Sequence, residues 1–283
     1  MIEKIERTDV PHILSLGAGV QSSTIALMAE RGLIKPYPTA AIFSDTCGEP
    51  ESVYKWLEYL KAQVGYPIFC AKQGEGLTAE SFEMRVSKKS GKRYWRNFVL
   101  FFTDDGTGKK GILRRKCTRD YKLAPLFRQA KGILGIKRAT AKSVLAVSWI
   151  GISTDEIQRM KESPKPWLVN RWPLLEMRMS RSDCLEWMKV NGYPEPPRSA
   201  CIYCPYHSNF EWRRLKTEEP EEFARAVAYE KKAQKAAIQC EVLNGTPYLH
   251  SSLKPLETID FTSKEAKQHT FSFLDECDGM CGH

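Results

Sequence analysis

Apolar runs alternate with amphipathic stretches through much of this chain. His12–Leu16 is a short apolar run that enters the small residues Gly17-Ala18-Gly19, and Ile25 to Gly32 follows with helical character. That pattern predicts a strand, a tight loop and a helix reaching about Arg31. Thr39–Asp45 predicts a second buried strand, Tyr66–Ala71 a third, and Ser143–Ser153 a strongly apolar one. Between the second and third strands, Glu51–Val64 places Val53, Trp56, Leu57 and Leu60 on one helical face. Asp120–Leu134 and Ser180–Asn191 predict two more helices, the latter with Ser180 as N-cap, Asp183 at N3 and Gly192 as its stop. Asn209–Gln239 is charged and reads as helix, and the stretch after it as irregular.

Strands alternating with helices imply an α/β fold, an open parallel sheet with helices on both faces. Gly74–Lys116 breaks the rhythm: it is rich in Gly and Lys around an apolar centre, Phe98–Phe102, and reads as an insertion. The expected organisation is an α/β domain over residues 1–206 with a basic insertion at about 74–116. A C-terminal helical extension with a cysteine-containing tail would cover 207–283.

Charge sharpens this picture. The chain carries a net charge of +9, yet Arg85 to Lys122 alone holds thirteen Lys or Arg against three Asp. Tyr94, Trp95, Phe98, Phe101 and Phe102 are interleaved with these cations. Such a mixture suits nucleic acid or a multiply charged nucleotide; the plain alternative is a solvated surface arm. No run is apolar enough to span a bilayer, and Met1–Arg7 is too polar for a secretory signal. The expected location is cytoplasmic, and no membrane partner is expected.

The loop after the first run is the first candidate site. Small residues let the backbone approach a ligand, and Ser22, Ser23 and Thr24 add hydroxyls beside the free N–H groups of a first helical turn. Such a place suits phosphate or sulfate, the alternative being an ordinary strand-to-helix turn. Asp45 and Thr46 fall at the end of the second strand, and Gly151–Glu156 at the end of another. Ligands of open parallel sheets sit beyond such carboxyl ends.

Sulfur is the second. Nine cysteines argue for metal, cluster or redox chemistry rather than a disulfide framework in a cytoplasmic chain. Cys201-Ile202-Tyr203-Cys204 is a C-x-x-C, with Cys117 far upstream. The pair suits a cluster or a zinc ion, the latter with His207 as a ligand, or a dithiol redox couple. Cys70, Cys184 and Cys240 lack partners at useful spacing and read as coincidental buried cysteines. Cys277 and Cys281 lie in a Gly-containing tail, where a thiol could visit an active site or serve as a cluster ligand.

Together these motifs resemble the phosphoadenosine phosphosulfate (PAPS) reductase family, within the PP-loop, adenine nucleotide alpha-hydrolase-like superfamily. The resemblance runs from about His12 to Tyr206. Gly17–Ser23 takes the place of the phosphate or sulfate loop, and Phe43-Ser44-Asp45-Thr46 with Pro50-Glu51 that of the Asp-Thr-Gly…Pro-Glu segment. Cys117 with Lys122 and Pro125 matches the Cys-containing helix start. Gly151–Arg159, Asn170–Leu174 and Cys201–Cys204 then follow in family order.

The resemblance implies an adenine nucleotide (PAPS, APS or ATP) bound by Ser15, Gly17, Ala18, Gly19, Gln21, Ser22, Ser23, Asp45, Thr46, Gly151 and Arg159. It further implies a [4Fe-4S] cluster on Cys117, Cys201 and Cys204, with Cys277 or Cys281 reducing the sulfonucleotide and a thioredoxin-like electron donor. Three departures stand out. Gln21 replaces the Asp that suits Mg²⁺ in the ATP-hydrolysing branch. Lys116-Cys117 replaces two adjacent cysteines. The reductases' Glu-Cys-Gly-Leu-His ending is matched only partly, by Glu276–Gly279 and by Cys281-Gly282-His283. Two other readings remain: an ATP-dependent sulfurtransferase thiolating tRNA or DNA through residues 85–122, and a zinc-containing nucleic-acid-binding protein.

Overall fold

The computed structural model describes residues 7–113, 115–137, 143–243 and 245–262. Among them β1 (His12–Leu16), α1 (Val20–Glu30), β2 (Ala40–Asp45), α2 (Glu51–Gln63) and β3 (Ile68–Lys72) run in order. The insertion follows, with α3 (Leu77–Glu80), β4 (Met84–Val86), β5 (Arg93–Trp95), β6 (Phe102–Asp104) and β7 (Lys110–Ile112). A wide, π-type turn at Thr118–Leu123 leads into α4 (Ala124–Ile133), then β8 (Ala146–Ile150), β9 (Leu168–Arg171), α5 (Pro173–Glu176) and α6 (Arg181–Val190). The chain continues through α7 (Asn209–Glu218), α8 (Pro220–Ile238) and β10 (Thr246–Tyr248).

Five strands form a parallel sheet in the order β3-β2-β1-β8-β9. Alternation along each strand feeds two cores. Leu14, Leu16, Ala41, Phe43, Val147 and Trp149 pack on one face with α1, α2 and α6. Ile13, Ile42 and Ala146 pack on the other with Leu126, Phe127 and Ala130 of α4. Burial on both faces explains why these strands read as near-continuous apolar runs. The chain order reverses at β1, with β2 on one side and β8 on the other. That switch point is where ligands of such sheets bind.

The insertion is not a bare arm. β4 and β5 form one antiparallel pair, and β6 pairs with both β7 and β10. Trp95, Phe98 and Phe101 share a core with Tyr121, Tyr203, Trp212 and Tyr229. The insertion, the C-x-x-C segment and the C-terminal helices therefore pack as one body.

Two sequence expectations need correcting. Asn209–Gln239 is two helices, because Pro220 cannot continue the first and Glu219 leaves helical geometry at φ −131°, ψ 61°. β9 was not expected at all. Its Asn170 and Arg171 are polar but buried, Arg171 by ion pairing with Glu176 at 2.7 Å. The capping box at α6 forms as expected, with Ser180 and Asp183 reciprocally bonded. No helix among the described residues is long and apolar enough to cross a membrane.

Candidate functional site

The loop after β1 carries a backbone feature that its sequence does not announce. The left-handed residue is Ala18, at φ 59°, rather than either neighbouring glycine. Cys47, just past the end of β2, is also left-handed at φ 58°. Non-glycine residues in this region cost about 1 kcal/mol or more, and such costs concentrate at functional sites.

The loop's own hydroxyls are largely engaged. Ser22 Oγ accepts from the Gly17 amide at 3.2 Å, and Ser23 Oγ accepts from the Trp56 indole at 2.9 Å. Thr24 donates to the Val20 carbonyl at 2.8 Å. Gln21 is buried, donating to Glu156 at 3.4 Å and accepting from Arg181 at 3.3 Å. Glu156 in turn is ion-paired with Arg159. Thus Gln21, Ser22, Ser23 and Arg159 hold the loop and its surroundings in shape. Gly151 belongs to the same contact, since a Cβ there would lie 2.9 Å from the Ser22 amide nitrogen. Asp45 accepts from the Tyr54 hydroxyl at 2.8 Å and from the Cys47 amide at 2.7 Å. Burial, then the Asp45 charge, raises the Tyr54 phenol and keeps it a donor.

Two cavities lie beyond these strand ends. The first is lined by Ser15 of β1, Gly17 of the loop, Ser44, Glu49, Lys122 and Ser199. The second is lined by Cys117, Cys201 and Cys204 together with Thr46, Lys122 and Tyr203. Lys122 belongs to both walls. It is buried, its carbonyl accepts from Ser44 Oγ at 2.8 Å, and its ammonium lies 3.9 Å from the buried Glu49 carboxylate. Of the residues expected to hold a nucleotide, Ser15 and Gly17 line the first cavity and Thr46 the second. Ala18, Gly19, Gln21, Ser22, Ser23, Asp45, Gly151 and Arg159 line neither. Glu49, Ser199 and Lys122 were missed as site residues. The signal for Lys122 was its place in the motif after Cys117; Glu49 and Ser199 gave none beyond proximity to matched motifs.

Three segments hold the thiol cavity. The Ile202 amide donates to the Gly48 carbonyl at 2.8 Å, tying the C-x-x-C to the loop after β2. The Thr78 hydroxyl lies 3.0 Å from the Cys47 carbonyl and 3.2 Å from the Tyr203 hydroxyl. The Cys117 amide donates to the Phe98 carbonyl at 3.0 Å, so the insertion's apolar centre positions that cysteine. Burial first, then the Glu49 charge, pushes the Cys201 thiol well above the ordinary range.

Three thiols in one cavity suit a soft metal or iron–sulfur centre in donor type. Among the described residues, no group of three or more His, Cys, Asp or Glu is gathered closely enough to hold a metal ion. His207 does not line the thiol cavity. It is buried edge-on to Trp212 at 4.7 Å, and desolvation lowers its imidazole to about 3. Cys184 and Cys240 are buried as expected, whereas Cys70 is exposed. Cys277 and Cys281 lie outside the described residues.

No protein-family model matches the chain, and no curated protein matches it significantly. A solved structure does. It is phosphoadenylyl-sulfate (PAPS) reductase from Candida auris in a phosphate complex, at 15% identity and a TM-score of 0.41. The match covers 68% of this chain and 77% of that one. That protein bears the name of the family the motifs resemble.

Proposed function

We propose that this chain is a sulfonucleotide reductase-like enzyme that binds an adenylyl sulfate across the two cavities and removes its sulfite reductively. The observation that carries the reading is the shared wall: one buried lysine, Lys122, separates a cavity at the β1 loop from a cavity lined by three cysteines. A sulfonucleotide has the matching layout, an adenylyl phosphate joined to a sulfate. Ser15, Gly17 and Ser199 would hold the nucleotide end, and Lys122 would face the bridging anionic groups. Gln21 also favours this reading. Its neutral amide is already engaged by Glu156 and Arg181, and the Glu156 carboxylate beside it is paired with Arg159, so position 21 itself offers no carboxylate for the Mg²⁺ of ATP chemistry.

In the proposed reaction a thiolate of Cys277 or Cys281 attacks the sulfate sulfur. A sulfur–sulfur bond forms, the bond from sulfur to the phosphate oxygen breaks, and the adenosine phosphate leaves. A dithiol of a thioredoxin-like donor then releases sulfite from the S-sulfocysteine and is itself oxidised to a disulfide. Cys117, Cys201 and Cys204, which are not drawn together for a single ion as they stand, have the donor type of a [4Fe-4S] cluster and would hold one by closing in on it; when bound it would supply a redox-capable centre. Protein purified anaerobically should contain iron and acid-labile sulfide, and Cys117→Ser and Cys201→Ser should each lose most of both. Stoichiometric zinc without iron would contradict the cluster assignment.

A further inference from the structure

The proposed chemistry leaves one set of buried contacts without a task. After α8 the chain turns back over α7 and α8 as a strap, residues 246–262. Its regular structure is limited to β10 and one helical turn at Leu256–Thr258. Glu230, midway along α8, holds it down. That carboxylate is buried. Its Oε1 accepts from the Leu249 amide and its Oε2 from the Leu256 amide, both at 2.8 Å. Burying a carboxylate is costly, and here both oxygens are given to backbone amides of one segment.

The far end of the strap is fixed on α7. Arg213 donates to the Phe261 carbonyl and Lys216 to the Ile259 carbonyl, each at 3.4 Å. The Phe261 ring is buried edge-on to Phe223 and to His250. His250 Nε2 lies 2.7 Å from Asn209 Oδ1. Asn209 opens α7 three residues after Tyr206, which lines the thiol cavity and is 40% exposed. Two side-chain contacts and three residues of chain therefore lead from the end of the strap to the rim of that cavity.

We infer that Glu230 is a positioning residue for the sulfo transfer: by fastening the strap it starts the cysteine-bearing tail beside the thiol cavity. The inference rests on the tail-thiol reading of the reaction. From Thr262 to Cys277 the chain runs fifteen residues, at most about 50 Å when extended, so a tail starting here has the length to reach the cavity. A strap loosened back to Tyr248 makes the tether twenty-nine residues. Doubling a tether lowers the effective concentration of its end about threefold. A strap that only covered α7 and α8 would leave the reactivity of the tail unchanged when it loosened.

The test first reads the local concentration of the tail without substrate. In the full chain carrying Tyr206→Cys, the disulfide between position 206 and Cys277 or Cys281 is equilibrated anaerobically against glutathione and mapped by peptide mass. It should persist against roughly millimolar glutathione. Adding Glu230→Gln, whose one carbonyl oxygen serves a single amide, or Glu230→Ala, which serves neither, should lower the effective concentration about threefold or more. Hydrogen exchange should show the Leu249 and Leu256 amides losing protection while β1, β2 and β8 keep theirs. With Tyr206 in place, the same two variants should slow formation of the S-sulfo adduct by the same factor at unchanged affinity for adenylyl sulfate. Absence of the disulfide in the Tyr206→Cys chain overturns the inference. So do amides that stay protected in both Glu230 variants, or unchanged tail reactivity once they are open. A disulfide that responds to Glu230, in a chain that forms no adduct with adenylyl sulfate, sinks the reductase reading alone.

Discussion

Gly151→Ala should weaken nucleotide binding at least roughly tenfold although residue 151 lines neither cavity. The added Cβ would stand 2.9 Å from the Ser22 nitrogen and 3.2 Å from its Cα, so it meets backbone rather than a yielding side chain. Either the end of β8 or the first turn of α1 must move. Overpacking of this kind costs about 1–3 kcal/mol. The loop is already held by Ala18 at positive φ and by the Ser22 to Gly17 bond, leaving little slack to absorb the shift. A displacement there moves Gly17, which does line the cavity at the β1 loop. Calorimetry with an adenylyl nucleotide should show at least a roughly tenfold loss, equivalent to about 1.4 kcal/mol, alongside a lowered melting temperature. Wild-type affinity in a normally folded variant would mean that the switch point between β1 and β8 is not the binding crevice.

Lys122→Met should be destabilising and inactive, and a second substitution separates the two effects. Lys122 and Glu49 face each other at 3.9 Å, both buried. Removing the cation leaves a buried carboxylate opposite an apolar side chain, which costs about 3 kcal/mol. Adding Glu49→Gln removes that charge and should recover most of the stability, as replacement of both partners of a buried pair often does. Binding should not recover, because the cation proposed to face the anionic ligand is still missing. Denaturant melts and calorimetry on both variants check this. Recovered binding in the double variant would show that Lys122 serves folding only.

The α/β core was legible because β1, β2 and β8 are buried on both faces and therefore spell out apolar runs. β9 was not, since its polar Asn170 and Arg171 are buried through specific partners rather than by apolar character. The hairpins of the insertion were equally hidden. Each strand is three residues long, and they are held by Trp95, Phe98 and Phe101 packing on Tyr203 and Tyr229, contacts distant in sequence. Pro220 did mark the break between α7 and α8, and the charged helical pattern masked it.

In the candidate site, the gathering of Cys117 with Cys201 and Cys204 could be anticipated only through motif order, because no spacing rule links residues so far apart. The loop residues were found by type, yet several of their side chains serve the scaffold. Composition cannot tell a serine that faces a ligand from one that accepts a tryptophan indole, as Ser23 does. Lys122 owes its place in both walls to the π-type turn Thr118–Leu123, a geometry frequent at functional sites and invisible to helical periodicity.

The most direct measurement is a single turnover under anaerobic conditions. The full chain, with its metal content retained, is mixed with adenylyl sulfate in both its 3′-phosphorylated and unphosphorylated forms. Sulfite is then assayed after addition of a dithiol. The account predicts adenosine phosphate and a covalent S-sulfo adduct on Cys277 or Cys281 in equal amounts, limited by enzyme, before the dithiol is added, and an equal amount of sulfite when the dithiol is supplied after unreacted substrate has been removed. Both substrates recovered intact from protein that binds them, with no adduct by intact mass, would contradict it.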